Sequence, residues 1–316
     1  MKLQTEIPLT PANHHQIDYK SLLCLFGSCF SEHISQKLTS HKLPTFSNPF
    51  GLLFHPKAIE NLIDKSVNKT NYSGDNVFKL NEQFQCFDAH SKLNSINQPD
   101  LIEGLNKATS ETLHHLKKAS HICITLGTAW VYKHKASAKI VANCHKVPQK
   151  EFHKNILSIE EIANSLQSSI DLVLSINPKA QFIFTVSPVR HLKDGFTENT
   201  LSKAHLISGV HAIIKNNSQA HYFPSYEIVM DQLRDYRFYN EDMLHPNAVA
   251  INYIWEQFKL VWFSQEAKEI STEIIQITKG LDHNAFNSSS EAHKKFLLQL
   301  NLKKKALLNK FPHVSF

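Results

Sequence analysis

Leu22-Leu23-Cys24-Leu25-Phe26-Gly27-Ser28-Cys29-Phe30 is the stretch on which the reading of this chain turns. Five consecutive apolar residues read as a strand buried on both faces. Gly27 permits a sharp turn. The residues Ser31-Glu32-His33-Ile34-Ser35-Gln36-Lys37-Leu38 then continue as a helix. A serine at such a junction stands at the C-terminal edge of a sheet, beside a helix N-terminus, where α/β enzymes hold their nucleophiles. Far along the chain, Asp242-Met243-Leu244-His245-Pro246 sets an Asp and a His three residues apart. Those two side chains can complete a hydrolytic triad.

The same kind of apolar run recurs at residues 121–126, 181–186 and 220–223. Helical patterns fall at 56–64, 101–118, 159–176, 198–214 and 246–263, the last with Pro246 in its first turn. Ser158 precedes the helix at 159, and Glu160 and Glu161 suit the positive end of its dipole. Residues 77–80 with 84–87, and 130–132 with 139–141, read as hairpins inserted between these units. The alternation predicts an α/β fold, a mostly parallel sheet with helices on both faces. Residues 1–264 are expected to form that domain. Residues 265–316 are expected to form a helical extension of one or two helices, separated by 284–290.

A chain of 316 residues with 42% apolar and 20% charged content has the composition of a globular protein with a sizeable core. The net charge of +6 comes from 34 basic and 28 acidic residues, with Lys294, Lys295, Lys303, Lys304, Lys305 and Lys310 clustered near the end. Such a run reads as a solvated helix face rather than a nucleic-acid surface. The opening residues lack the apolar core of a secretory leader, and no run is long enough to cross a bilayer. The cysteines are Cys24, Cys29, Cys86, Cys123 and Cys144, scattered and odd in number. Together these features predict a reduced, cytoplasmic setting with no membrane or nucleic-acid partner.

In an open parallel sheet, the loops after the strands converge on one crevice. Here they carry Gly27-Ser28, Asn48-Pro49-Phe50-Gly51, Leu126-Gly127-Thr128 and the Asp242–His245 segment. A serine hydroxyl needs a base to become a nucleophile. His245 can take its proton, and Asp242 can hold the other ring nitrogen. The Ser28 and Gly51 backbone N–H groups are candidate oxyanion donors. Arg190 and His191 follow the strand at 181–186 and should face the crevice, Arg190 as a carboxylate or phosphate binder. Trp130 is a candidate wall residue.

Each of these residues also has a plainer reading. Ser28 suits a helix cap, and Asp242 can cap the loop before the following helix. Cys29 is either a nucleophile beside a helix N-terminus or a buried apolar filler. Gly51 and Gly127 serve turns equally well. Arg190 has Asp194 and Glu198 nearby as surface ion-pair partners. Cys144 and His145 with Cys29 and His33 offer zinc-binding residue types, but their spacing matches no standard zinc pattern, so no metal is expected.

Phe26-Gly27-Ser28-Cys29-Phe30, Asn48-Pro49-Phe50-Gly51, Leu126-Gly127-Thr128-Ala129-Trp130-Val131-Tyr132, Asn143-Cys144-His145-Lys146, Thr185-Val186-Ser187-Pro188-Val189-Arg190-His191 and Asp242-Met243-Leu244-His245-Pro246 together resemble the GSCFA-domain family. That family is related to the SGNH (GDSL-like) hydrolases. The resemblance covers roughly residues 20–262 and implies a three-layer α/β/α fold of flavodoxin-like type. It implies Ser28 as nucleophile, Gly51 as an oxyanion N–H, and Asp242 and His245 as the acid–base pair. Two blocks depart from the superfamily pattern. Ser28 follows Gly27 directly, where an Asp usually intervenes. Gly127 is followed by Thr128-Ala129-Trp130 in place of Gly-x-Asn-Asp, so Thr128 or Asn143 is the candidate replacement for the missing side-chain donor. The expected activity is cofactor-independent hydrolysis of a small-molecule or carbohydrate acyl ester. The alternatives are acyl transfer by the same residues, or ligand or partner binding without catalysis.

Overall fold

A computed structural model describes residues 5–283, 286–287 and 290–316. The chain begins with β1 (Leu23–Gly27), α1 (Cys29–Ser40), β2 (Thr45–Ser47) and α2 (Pro56–Val67), then β3 (Phe78–Leu80), β4 (Gln83–Gln85) and α3 (Gln98–Leu116). It continues through β5 (His121–Leu126), β6 (Trp130–His134), β7 (Ile140–Val141), β8 (Phe152–Ile156), α4 (Ile159–Ile176), β9 (Gln181–Val186), α5 (Phe196–Ile214) and β10 (Ala220–Tyr222). A single turn, α6 (Ser225–Glu227), leads into a π-helical segment, Ile228–Leu233. The helices α7 (Ala248–Trp262), α8 (Gln265–Leu281) and α9 (Glu291–Lys310) close the chain.

The main sheet has the order β10-β9-β5-β1-β2, with each neighbouring pair parallel. Counted along the chain, its strands run 2-1-3-4-5, the flavodoxin-like order. Strand β1 lies inside the sheet between β2 and β5, and its side chains alternate between two cores. Cys24 and Phe26 pack with Ile59 of α2, Leu105 of α3, Leu166 of α4 and Leu206 of α5. Leu23 and Leu25 pack on the opposite face with Ile34 of α1, Trp255 of α7, Ile274 of α8 and Leu307 after them. Two helical layers thus enclose one sheet, and the last helices belong to the second core. No described helix is long and apolar enough to cross a membrane.

Several local expectations change. The hairpin at 130–141 is part of a three-stranded antiparallel sheet, β7-β6-β8. Its edge strand β8 carries the mostly polar residues His153-Lys154-Asn155 and therefore gave no apolar signal. Strand β2 is three residues long, and its pairing to β1 rather than its own pattern defines it. Pro246 lies before α7 rather than in its first turn. Asn247 is the N-cap, its side-chain oxygen accepting from the Val249 and Ala250 N–H groups. Of the separator read at 284–290, Asn284, Ala285, Ser288 and Ser289 lie outside the described residues.

Candidate active site

Strand order reverses between β1 and β5, and ligand crevices of open α/β sheets form outside the strand ends at such a point. The chain meets this point with unusual closeness. Gly27 has φ +140°, and a Cβ there would stand 2.1 Å from the Thr125 carbonyl oxygen. Only a glycine lets β1 turn against β5 in this way. The Gly27 N–H donates to Asn48 Oδ1 (3.0 Å), and Asn48 Nδ2 donates to Ser31 Oγ (3.0 Å). One asparagine thereby ties the β2 exit to both the turn and α1.

A cleft of about 830 Å³ opens at this edge. Cys29, Thr128, Asn143, Arg190, His191 and His245 line it, with Trp130 and Tyr132 on one wall. The loop bearing His245 is held to the start of α7. Asn247 Nδ2 donates to the Arg237 and Tyr239 carbonyls (2.7 and 3.2 Å), and the Asn240 N–H donates to the His245 carbonyl (2.8 Å).

His245 and Asp242 form the expected pair. His245 Nδ1 lies 2.6 Å from Asp242 Oδ2, while Asp242 Oδ1 accepts the Leu244 and His245 backbone N–H groups (2.8 and 2.9 Å). The His245 backbone N–H, then the Leu244 N–H and the imidazole, draw the Asp242 carboxyl down to about 2. An ionised carboxylate only accepts, so Nδ1 carries the proton and Nε2 is left as the basic nitrogen.

The serine arm is different. Ser28 is fully buried, and its Oγ has no hydrogen-bond partner among the described residues. It is the N-cap of α1 but makes no side-chain cap bond. Its hydroxyl and the His245 ring, joined in the sequence expectation, are not hydrogen-bonded. The Ser28 N–H donates to Thr125 O (3.1 Å), and the Gly51 N–H donates to Asn48 O (2.8 Å). Both backbone groups expected at an oxyanion hole are therefore engaged within the fold. Thr128 Oγ1 shares a hydrogen bond with Ser202 Oγ (3.1 Å) and accepts from the Trp130 N–H (3.0 Å). Asn143 Oδ1 accepts the His145 N–H (2.9 Å). Asn143 lines the cleft, and its Nδ2 has no hydrogen-bond acceptor among the described residues.

The remaining expected residues do reach the cleft. Arg190 makes no ion pair with Asp194, which binds Lys154 instead (2.5 Å). Its guanidinium stacks on Tyr239 (4.9 Å to the ring centre), and Nη2 approaches Met230 Sδ (3.6 Å). His191 presents a neutral ring: burial first, then Lys203, pulls it down to about 4. Its Nε2 is enclosed and unpartnered, and its edge meets Phe54 (5.5 Å between rings). Trp130 Nε1 donates to the Glu198 carbonyl (3.1 Å), and Lys154 lies over its ring (4.7 Å). Among the described residues, no group of three or more His, Cys, Asp or Glu side chains is arranged to hold a metal ion. His145 instead binds the Cys86 carbonyl through Nε2 (2.7 Å).

Sequence reasoning passed over Lys203 and Ser202. Lys203 is 1% exposed, and its ammonium donates to the Gly127 and Ser187 carbonyls, both at 2.7 Å. It thus clamps the C-terminal ends of β5 and β9. Burial draws its pKa down to about 7. Ser202 Oγ accepts the Ala129 N–H (2.7 Å). The legible signal was spacing: Lys203 shares a helix face with Leu206 and Val210, three and seven residues on, which places a charge in an apolar stripe.

Residues 22–258 match the GSCFA family, and residues 274–316 match the GSCFA domain protein C-terminal domain. The chain belongs to the GSCFA family. No curated protein sequence matches it. Among solved structures it is similar to a carbohydrate esterase family 3 protein from Talaromyces cellulolyticus, with 10% identity, TM-score 0.35, and coverage of 84% of this chain and 100% of that one. An acetyl xylan esterase from the rumen bacterium Butyrivibrio proteoclasticus is similar at 10% identity and TM-score 0.37, covering 83% and 66%. A family two carbohydrate esterase from Clostridium thermocellum, in complex with cellohexaose, is similar at 11% identity and TM-score 0.37, covering 86% and 67%.

Proposed function

For this GSCFA-family chain we propose acyl-ester hydrolysis of the SGNH type in the cleft between β1 and β5. The observation that carries the reading is the Asp242–His245 pair, with its basic nitrogen available at the edge where the β1–α1 turn ends. His245 takes a proton from a nucleophile on that turn and returns it to the departing alcohol. Asp242 fixes the tautomer and stabilises the imidazolium. Asn143 Nδ2 is the side-chain donor suited to the oxyanion, since its partner atom Oδ1 is already fixed by His145. Arg190, a cation on the cleft without a carboxylate partner among the described residues, favours a substrate with a nearby anionic group. The Trp130 face suits a sugar-sized alcohol.

The test is hydrolysis of 4-nitrophenyl acetate and of acetylated sugars by the wild-type protein and by His245→Asn. The expected result is a loss of about 10³-fold or more in kcat. A folded His245→Asn protein as active as wild type would show that the cleft does not work this way.

A further inference from the structure

Ser28 and Cys29 are neighbours on one turn, yet the fold treats them oppositely. Ser28 is enclosed, with an unpartnered hydroxyl. Cys29, the first residue of α1, is half-buried and lines the cleft together with His245 and His191. The positive end of a 12-residue helix lies at the thiol. Lys203 lies beneath the same edge, held by two carbonyls. A thiolate at Cys29 and the Lys203 ammonium would attract each other. No carboxylate forms an ion pair with Lys203 among the described residues, so its charge is available to a neighbouring anion.

We propose that Cys29, not Ser28, supplies the nucleophile of this cleft, with Lys203 as a positioning cation beneath it. The inference rests on the reading of the cleft as an acyl-transfer site and names its attacking atom. Burial raises the Cys29 thiol above its usual range, so it rests protonated and needs the base. His245 Nε2 accepts the thiol proton as Sγ attacks the acyl carbonyl carbon. The C–S bond forms, the ester C–O bond breaks, and the alcohol leaves with the proton held by His245. Water then attacks the thioester, giving a proton to His245. The C–S bond breaks, the carboxylic acid departs, and the proton returns to sulfur.

The experiment uses the full-length protein with 4-nitrophenyl acetate, followed by acid quench, proteolysis and mass spectrometry of the peptide spanning residues 28–29. The acetyl group is expected on Cys29 in wild type and in Ser28→Ala, and neutral hydroxylamine should remove it as a thioester. Cys29→Ala and the closer-shaped Cys29→Ser, each confirmed as folded by circular dichroism, are expected to lose about 10³-fold or more in turnover. An acetyl group on Ser28, or full turnover in folded Cys29→Ala, overturns the assignment. If His245→Asn abolishes turnover while the acetyl maps to Ser28, only the Cys29 assignment falls. If turnover is indifferent to His245, the acyl-transfer reading falls with it, as it does if wild type gives neither turnover nor adduct. For Lys203, the readout is the pH midpoint of Cys29 alkylation by iodoacetamide, where Glu32 of α1 and Lys203 of α5 are the charged groups acting on the thiol and His245 lines the same cleft. Folded Lys203→Met is expected to raise that midpoint by about one pH unit. An unchanged midpoint removes Lys203 from the assignment.

Discussion

At Gly27 a missing side chain shapes the whole crevice. The backbone has φ +140°, and the Thr125 carbonyl occupies the space that any Cβ would need. Gly27→Ala is expected to cost about 3 kcal/mol or more, through combined strain and collision. Urea denaturation of the variant measures this, and an unshifted midpoint would contradict it. On the proposed mechanism Asp242 bears on chemistry rather than stability, because it is exposed and its Oδ1 acceptor survives in asparagine. Asp242→Asn would turn an amide N–H toward His245 Nδ1 and favour the tautomer with a protonated Nε2. Its kcat is expected to fall by on the order of 10² to 10⁴ with little change in urea midpoint. Steady-state kinetics beside a denaturation curve separates the two effects.

Among the elements, α4 shows the most direct path from sequence to structure. Ser158 Oγ accepts the Glu161 N–H (3.1 Å), and Glu161 Oε2 accepts the Ser158 N–H (2.7 Å). The acidic first turn read from the sequence is thus a complete capping box. Ser158→Ala is expected to cost about 1 kcal/mol, measured as a lowered urea midpoint. The helix α5 is the contrasting case. Its ends were legible, but the inward direction of Lys203 depends on the two carbonyls that β5 and β9 present to it. Strand β8 likewise exists because β6 offers it a partner, not because its own residues alternate.

For the molecule as a whole, buried imidazoles set the response to acid. Burial is the leading cause in each of His55, His121 and His191, and each is drawn down to about 4 from an ordinary value of 6.5. Between those values the unfolded chain binds more protons than the folded one. Stability therefore rises with pH across this window and is lost as pH falls from about 6.5 toward 4. Lys203, drawn from 10.5 to about 7, acts in the same direction at higher pH, adding stability as pH rises through 7 to 10.5. Calorimetric Tm is expected to decline steadily between pH 6.5 and 4. Replacing His121, remote from the cleft and bonded to the His15 carbonyl, should flatten part of that decline. An equally steep decline in His121→Gln would assign the loss to other groups.

The order of strands and helices was written in local patterns: apolar runs at 121–126 and 181–186, capping signals at Ser158, and the glycine after Phe26. Local backbone preference and burial period act over a few residues, so they can be read without knowing the partners. The Asp242–His245 pair was legible for the same reason, since three residues suffice to join those side chains. Which atom of the β1–α1 turn faces the cleft was not legible, because adjacent residues at a helix start diverge by about 100° around the axis. Only the packing of β1 against β5 decided that Ser28 is enclosed and Cys29 faces the cleft. The buried ammonium of Lys203 had the same origin, in two strand ends brought together from distant parts of the chain.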